Sequence, residues 1–256
     1  MGAFCLPFAP FLFPPQLLEC LPEFILWVIA WIGCFTVGQI GFFTTLRSIE
    51  ASRMSSLLGL KILVLAMICV LFAGTPLSGL QWFAVLLSTV AAVGMNWSGG
   101  AHFTRKGLFW LLVTLVAYSL TDMVETRLVL LPKSGNIIRD SFAIGTVCYA
   151  VLGILTLPLL ARFRWSTRQF VKAAPFAVSW YLSQVALFVC FGLLGTVFGN
   201  VIQASRGLIS IALGILLLHY GFGRLDARIS RAMWLRRAAA AILMAAGIIL
   251  YSLAKL

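Results

Sequence analysis

The chain has 256 residues, of which 62% are hydrophobic and only 10% charged, with a mean hydropathy of +1.05; globular domains run nearer half apolar and a quarter charged, so a soluble domain is excluded. At about 20 apolar residues per crossing, this length holds roughly eight to ten membrane helices and no separate soluble domain. The net charge of +12 is dispersed between apolar segments rather than gathered on one face or tail, which sets nucleic acid aside as a partner and leaves the lipid bilayer.

In chain order, residues 1–23 form a proline-rich apolar segment. Pro7, Pro10, Pro14 and Pro15 interrupt it, and it is short for a full crossing, so it reads as a broken helix or the remnant of one. Long apolar runs bounded by charge, Gly or Pro then predict eight spans, near residues 24–45, 54–73, 79–97, 107–124, 141–160, 172–193, 200–220 and 236–254. The proline-rich segment would make a ninth. Unbroken runs such as Ile62 to Phe72 exclude the alternating pattern of a transmembrane β-barrel. The expected fold is an all-α polytopic membrane protein, one integral membrane domain in all.

The spans are internally related. Ile49, Glu50, Ala51, Ser52 and Arg53 reappear as Ile202, Gln203, Ala204, Ser205 and Arg206, a shift of 153 residues. At the same shift Phe35 matches Phe188, Ile62 and Leu63 match Ile215 and Leu216, Leu65 matches Leu218, and Gly94 matches Gly247. Each copy has the order helix, motif, helix, turn, tryptophan, helix. Five spans separate the equivalents, an odd number, so the second copy crosses the membrane in the opposite sense. Inverted repeats of this kind are the architecture of secondary transporters. The first repeat occupies 24–100 with three helices and the second 101–256 with five, so the first is shortened at its N-terminus.

The I-[EQ]-A-S-R motif at the start of the fourth helix of each unit, with a Gly-bearing final helix, resembles the EamA-type proteins of the drug/metabolite transporter superfamily. The resemblance covers about 230 residues. It implies a multi-pass transporter of small metabolites in a bacterial cytoplasmic membrane, with a cytoplasmic C-terminus. The charge distribution points the other way for orientation. Counting alternate sides, Arg47, Arg105, Lys106, Arg162, Arg164, Arg168, Lys172, Arg224, Arg228, Arg231, Arg236 and Arg237 share one side, against Arg127, Lys133, Arg139 and Lys255, and the richer side is expected in the cytoplasm.

Ionisable groups inside a span are candidates for function by default. At about 100° per residue, Glu50 and Lys61 fall within about 20° of one face, with Arg53 one turn from Glu50. The expected site is therefore a stripe of Glu50, Arg53 and Lys61, joined by Arg206 of the second copy, which would bind an anionic or zwitterionic small-molecule substrate. Arginines that snorkel to lipid phosphates would explain Arg53 and Arg206 equally. Gln39 and Gln203 complete the candidate site as hydrogen-bonding groups, although they, like Gln184, Asn96 and Asn200, suit either a cavity or interhelical packing. Asp122 and Glu125 fit either a proton-coupling site or a solvated loop start beside Arg127. Trp110, Tyr118, Trp180 and Tyr181 fit either a cavity lining or the interfacial belt. The G-x-x-x-G of Gly195 and Gly199 would permit close helix contact and a homodimer. The six cysteines are scattered singly and read as small buried hydrophobes. No metal or cofactor is expected, and the absence of H-E-x-x-H, G-x-S-x-G and paired carboxylates within a span argues against an enzyme. A non-transporting membrane protein, an assembly partner or degenerate paralogue, is the alternative function.

Overall fold

A computed structural model describes residues 2–47, 54, 57–72, 74, 76–95, 105–162, 166–205, 209, 216 and 231–254. No strand occurs among them. The helices are α1 (Gly2–Cys5), α2 (Ala9–Leu12), α3 (Leu21–Leu46), α4 (Lys61–Phe72), α5 (Gly79–Met95), α6 (Arg105–Leu130), α7 (Ile137–Ala161), α8 (Thr167–Leu194), α9 (Thr196–Ala204) and α10 (Arg231–Leu253). Short 3-10 turns at Pro15–Leu18 and Leu58–Leu60 precede α3 and α4.

Among the described residues four helical stretches are long and apolar enough to cross a membrane: Leu21–Leu46, Arg105–Leu130, Ile137–Pro158 and Val171–Leu194. Leu58–Phe72, Gly79–Gly94 and Ala238–Leu253 are apolar but shorter. The surface has the polarity that lipid demands. Ile25, Leu26 and Ile29 of α3, Phe109 and Leu112 of α6 and Leu155 of α7 are exposed, whereas Thr45, Ser88, Thr89, Thr114, Ser119 and Thr146 are buried. In water this distribution would be costly; in a bilayer, small hydroxyls inside and large aliphatics outside are what helix packing uses. Thr45, Thr89, Thr114, Ser119 and Thr146 each donate to the carbonyl four residues earlier, so no hydroxyl proton is stranded at these five positions. The chain is a helical membrane protein.

Contacts divide the chain into two compact units, residues 1–34 with 121–196, and residues 35–120 with 197–256. In the first unit, α7 and α8 pack together, and α1 and α2 pack on α7. Gly2 and Gly153 meet backbone to backbone, since a Cβ on Gly2 would run into Gly153 Cα. The proline-rich segment is thus a series of short turns laid on α7. Asn136 starts α7 as a cap whose Oδ1 accepts from Arg139 N–H at 3.1 Å. The core is Phe24, Val28 and Trp31 of α3, Val124 and Leu128 of α6, Ile144 and Tyr149 of α7, and Phe188 and Phe191 of α8.

In the second unit α5 packs against both α10 and α4. Ser78 and Gln81 form a capping box at the start of α5, each side chain accepting from the other's backbone N–H. Gly38 and Gly41 of α3 lie against Tyr118 and Thr114 of α6. Met54, Leu57, Leu111 and Leu115 form a buried cluster, with Phe42, Leu46, Leu58, Leu60 and Val64 packed around it. Phe198 of α9 stacks on Tyr251 of α10 at 4.9 Å.

Helices α3, α5, α6, α7, α8 and α10 overlap the spans expected near 24–45, 79–97, 107–124, 141–160, 172–193 and 236–254, α4 covers 61–72 of the span expected at 54–73, and most of the span expected at 200–220 lies outside the described residues. Two expectations are corrected. The span expected to end at 124 continues to Leu130, because Asp122 and Glu125 point into protein and the apolar run Leu128 to Leu131 carries on behind them. The second correction concerns Gly195, which sits in the break between α8 and α9 at φ +83 and ψ 165. Gly195 and Gly199 therefore do not share one continuous helical face. That backbone conformation is essentially restricted to glycine. Among the described residues nothing lies within 4 Å of a Cβ built there, so the expected cost of Gly195→Ala is backbone strain. We expect a loss of about 1–3 kcal/mol, read as a lowered unfolding transition in detergent.

Candidate functional site

The interior of the first unit holds a polar cluster built on α6. Asp122 and Glu125, one helical turn apart, are 4% and 2% exposed. Glu125 Oε1 accepts from the indole N–H of Trp31 at 2.9 Å, a buried bond between residues far apart in the chain. Trp31 is wholly buried, and its ring meets Tyr149 edge-on at 5.2 Å and Phe188 at 6.4 Å. The Tyr149 hydroxyl donates to Gln184 Oε1 of α8 at 3.2 Å. One turn away on α7, Thr146 shares a hydrogen bond of 2.6 Å with the Tyr181 hydroxyl. Cys148, next to Tyr149 on α7, is wholly buried.

The physical logic runs from the helices inward. Isolating a carboxylate from water costs several kcal/mol unless it is protonated or met by donors. The Trp31 indole supplies a donor from a residue otherwise apolar, which suits it to a dry interior. Tyr149 in turn is oriented by Gln184. Helices α3 and α6 thus meet at one carboxyl group, α7 packs behind the indole through Tyr149, and α8 holds the next layer.

This arrangement settles several open sequence readings. Asp122 and Glu125 are no solvated loop start: both are buried, while Arg127 is exposed. The expectation that no span carries paired carboxylates is likewise corrected by α6. Gln184 acts between helices, as the packing reading had it. Tyr118 and Tyr181 are half-buried within their units rather than lying wholly at the surface, whereas Trp180 is 39% exposed.

Of the six residues expected to bind substrate, Glu50, Arg53 and Arg206 lie outside the described residues. Lys61, Gln39 and Gln203 are half-buried and all belong to the second unit. Lys61 opens α4, flanked by Leu58, Leu60 and Val64, which pack on the unit's buried cluster. Trp31 is the partner that sequence reasoning missed. One signal was available for its acceptor: the residues after Glu125 stay apolar as far as Pro132 apart from Thr126 and Arg127, so the span had room to continue.

No family model matches the chain, and no curated protein matches it. A solved structure does: a crystal structure of a protein with 18% sequence identity, covering 88% of this chain and 76% of that one, superposes with a TM-score of 0.56. At that identity the likeness is one of fold.

Proposed function

We propose that the chain is a membrane transporter of the drug/metabolite type. It moves a small polar or charged metabolite across a bacterial cytoplasmic membrane by alternating access of two inverted repeats. The observation that carries this reading is the buried carboxyl of Glu125 inside a membrane-crossing helix. Ionisable groups are expensive there, and they mark substrate and ion pathways. The internal repeat supports the same reading, since third helices of the two copies, α5 and α10, pack directly on each other.

On this reading Lys61, Gln39 and Gln203, together with Glu50, Arg53 and Arg206, form the substrate site, with Lys61 meeting the negative charge of an anionic or zwitterionic metabolite. The test is thermal stabilisation of the detergent-purified protein by a panel of amino acids, nucleosides, organic acids and lipophilic cations. A ligand present at a hundredfold excess over its Kd stabilises the folded state by about 2.7 kcal/mol. We expect stabilisation by anionic or zwitterionic compounds and its loss in Lys61→Ala, with membrane insertion unchanged. Equal stabilisation of the variant would remove Lys61 from the site. No stabilisation by any compound would favour the assembly partner or degenerate paralogue.

A further inference from the structure

Glu125 has chemistry that the substrate site does not use. It belongs to the first unit, whereas Lys61, Gln39 and Gln203 belong to the second. Trp31 of α3 donates to Glu125, Tyr149 of α7 packs edge-on against the Trp31 ring beside the wholly buried Cys148, and through Tyr149 the amide of Gln184 on α8 joins the layer behind. On the helix of Glu125 itself, Asp122 lies one turn away and is equally buried.

Two features decide what this carboxyl can bind. The first is space: Trp31, Cys148 and Phe188 are wholly buried and Tyr149 is 2% exposed, so protein atoms fill the surroundings of the carboxyl and leave no room there for a metabolite. The second is charge: two carboxyl groups at i and i+3 on one helix repel when both are ionised, and uptake of one proton relieves that repulsion in a medium of low dielectric.

We propose that Glu125 is a proton-binding site whose occupancy is coupled to substrate binding. This inference rests on the transporter reading and supplies its coupling ion. In the ionised state the carboxylate accepts the Trp31 N–H. Binding one proton from the aqueous phase forms the neutral acid and removes one negative charge from the cluster, and releasing it to the opposite side restores the carboxylate. Nothing else is consumed. Trp31 is a positioning residue, since it holds the carboxyl in place and reports its charge state.

The experiment uses the full chain in detergent and follows the carboxylic C=O stretch by infrared difference spectroscopy during a pH titration. A protonated-carboxyl band that titrates in the wild type and is lost in Glu125→Gln is the expected result. Because the glutamine variant could fail to fold, Trp31→Phe is run beside it; it keeps the carboxyl, so the band should remain and change frequency as the indole bond is lost. A spectrum with no titrating band removed by Glu125→Gln and none moved by Trp31→Phe overturns the proposal. Coupling is read separately, as ligand stabilisation on the metabolite panel at two pH values. Dependence on pH that disappears in Glu125→Gln supports it, and pH-independent stabilisation of the wild type overturns it. A titrating band in a protein that no panel compound stabilises supports the proton site while counting against transport, so the two readings fail separately.

Discussion

Replacing Trp31 with alanine should lower the stability of the protein by about 3–5 kcal/mol, the range for emptying a fully buried aromatic site. Two effects contribute, and they are separable. The cavity left beside Tyr149 and Phe188 removes contacts with both rings, which pack edge-on against the indole. The second effect is the loss of the donor to Glu125 Oε1, which is worth roughly 1.5–3 kcal/mol when the acceptor is charged. Trp31→Phe isolates the second effect, since it keeps most of the ring and discards only the N–H with part of the volume. We therefore expect the alanine variant to lose clearly more than the phenylalanine variant, and both to lose more than Trp27→Phe. Trp27 makes a longer, exposed bond of 3.3 Å to Glu23 on its own helix, where little is at stake. Equilibrium unfolding in mixed micelles measures all three. A Trp31→Phe loss as small as that of Trp27→Phe would mean that the buried bond contributes nothing to the fold.

The order in which these features became legible has a physical basis. Helices announce themselves by apolar run length, so the spans beginning near 24, 79 and 141 could be placed within a few residues of α3, α5 and α7. The prolines likewise foretold the short turns before α3. Charge misled at α6. Asp122 and Glu125 were natural markers of a membrane boundary, because a carboxylate usually ends a span, yet the helix carries both inside and stops only where Pro132 forbids continuation. Spacing misled at Gly195, whose G-x-x-x-G pattern suits a helix face, while its positive φ ends one helix and opens the next. The Trp31–Glu125 bond could not be read from one sequence at all. It joins positions whose separation along the chain carries no periodic signature, and a tryptophan in an apolar helix looks the same whether it faces lipid or a buried carboxyl. The stripe containing Glu50, Arg53 and Arg206 was legible as a pattern, but these residues lie outside the described ones.

The second large effect is expected at Gly247, where α10 meets α5. A Cβ built there would run into Ser88 Oγ and lie 3.2 Å from the carbonyl oxygen of Ala84. The first contact is relieved by moving a hydroxyl; the second, at 3.2 Å, asks the backbone to give by only a few tenths of an ångström for a methyl but leaves no room for a larger side chain. Gly247→Ala should thus displace Ser88 and cost a fraction of what Gly247→Val costs, for which overpacking predicts about 1–3 kcal/mol or more. Ser88 offers an internal check, since its buried Oγ has no hydrogen-bond partner among the described residues. Ser88→Ala alone should be nearly neutral, because it removes an unsatisfied hydroxyl along with its small volume. Combined with Gly247→Ala it should recover most of the loss, giving a coupling energy of about 0.5 kcal/mol or more in a double-mutant cycle. Strict additivity of the two substitutions would show that the close approach is not what makes glycine necessary. Gly94 sharpens the comparison. It is the repeat equivalent of Gly247, yet a Cβ there meets nothing within 4 Å, so Gly94→Ala should be neutral or slightly stabilising through helix propensity. The two glycines then differ in consequence because only Gly247 lies where α10 packs closely on α5.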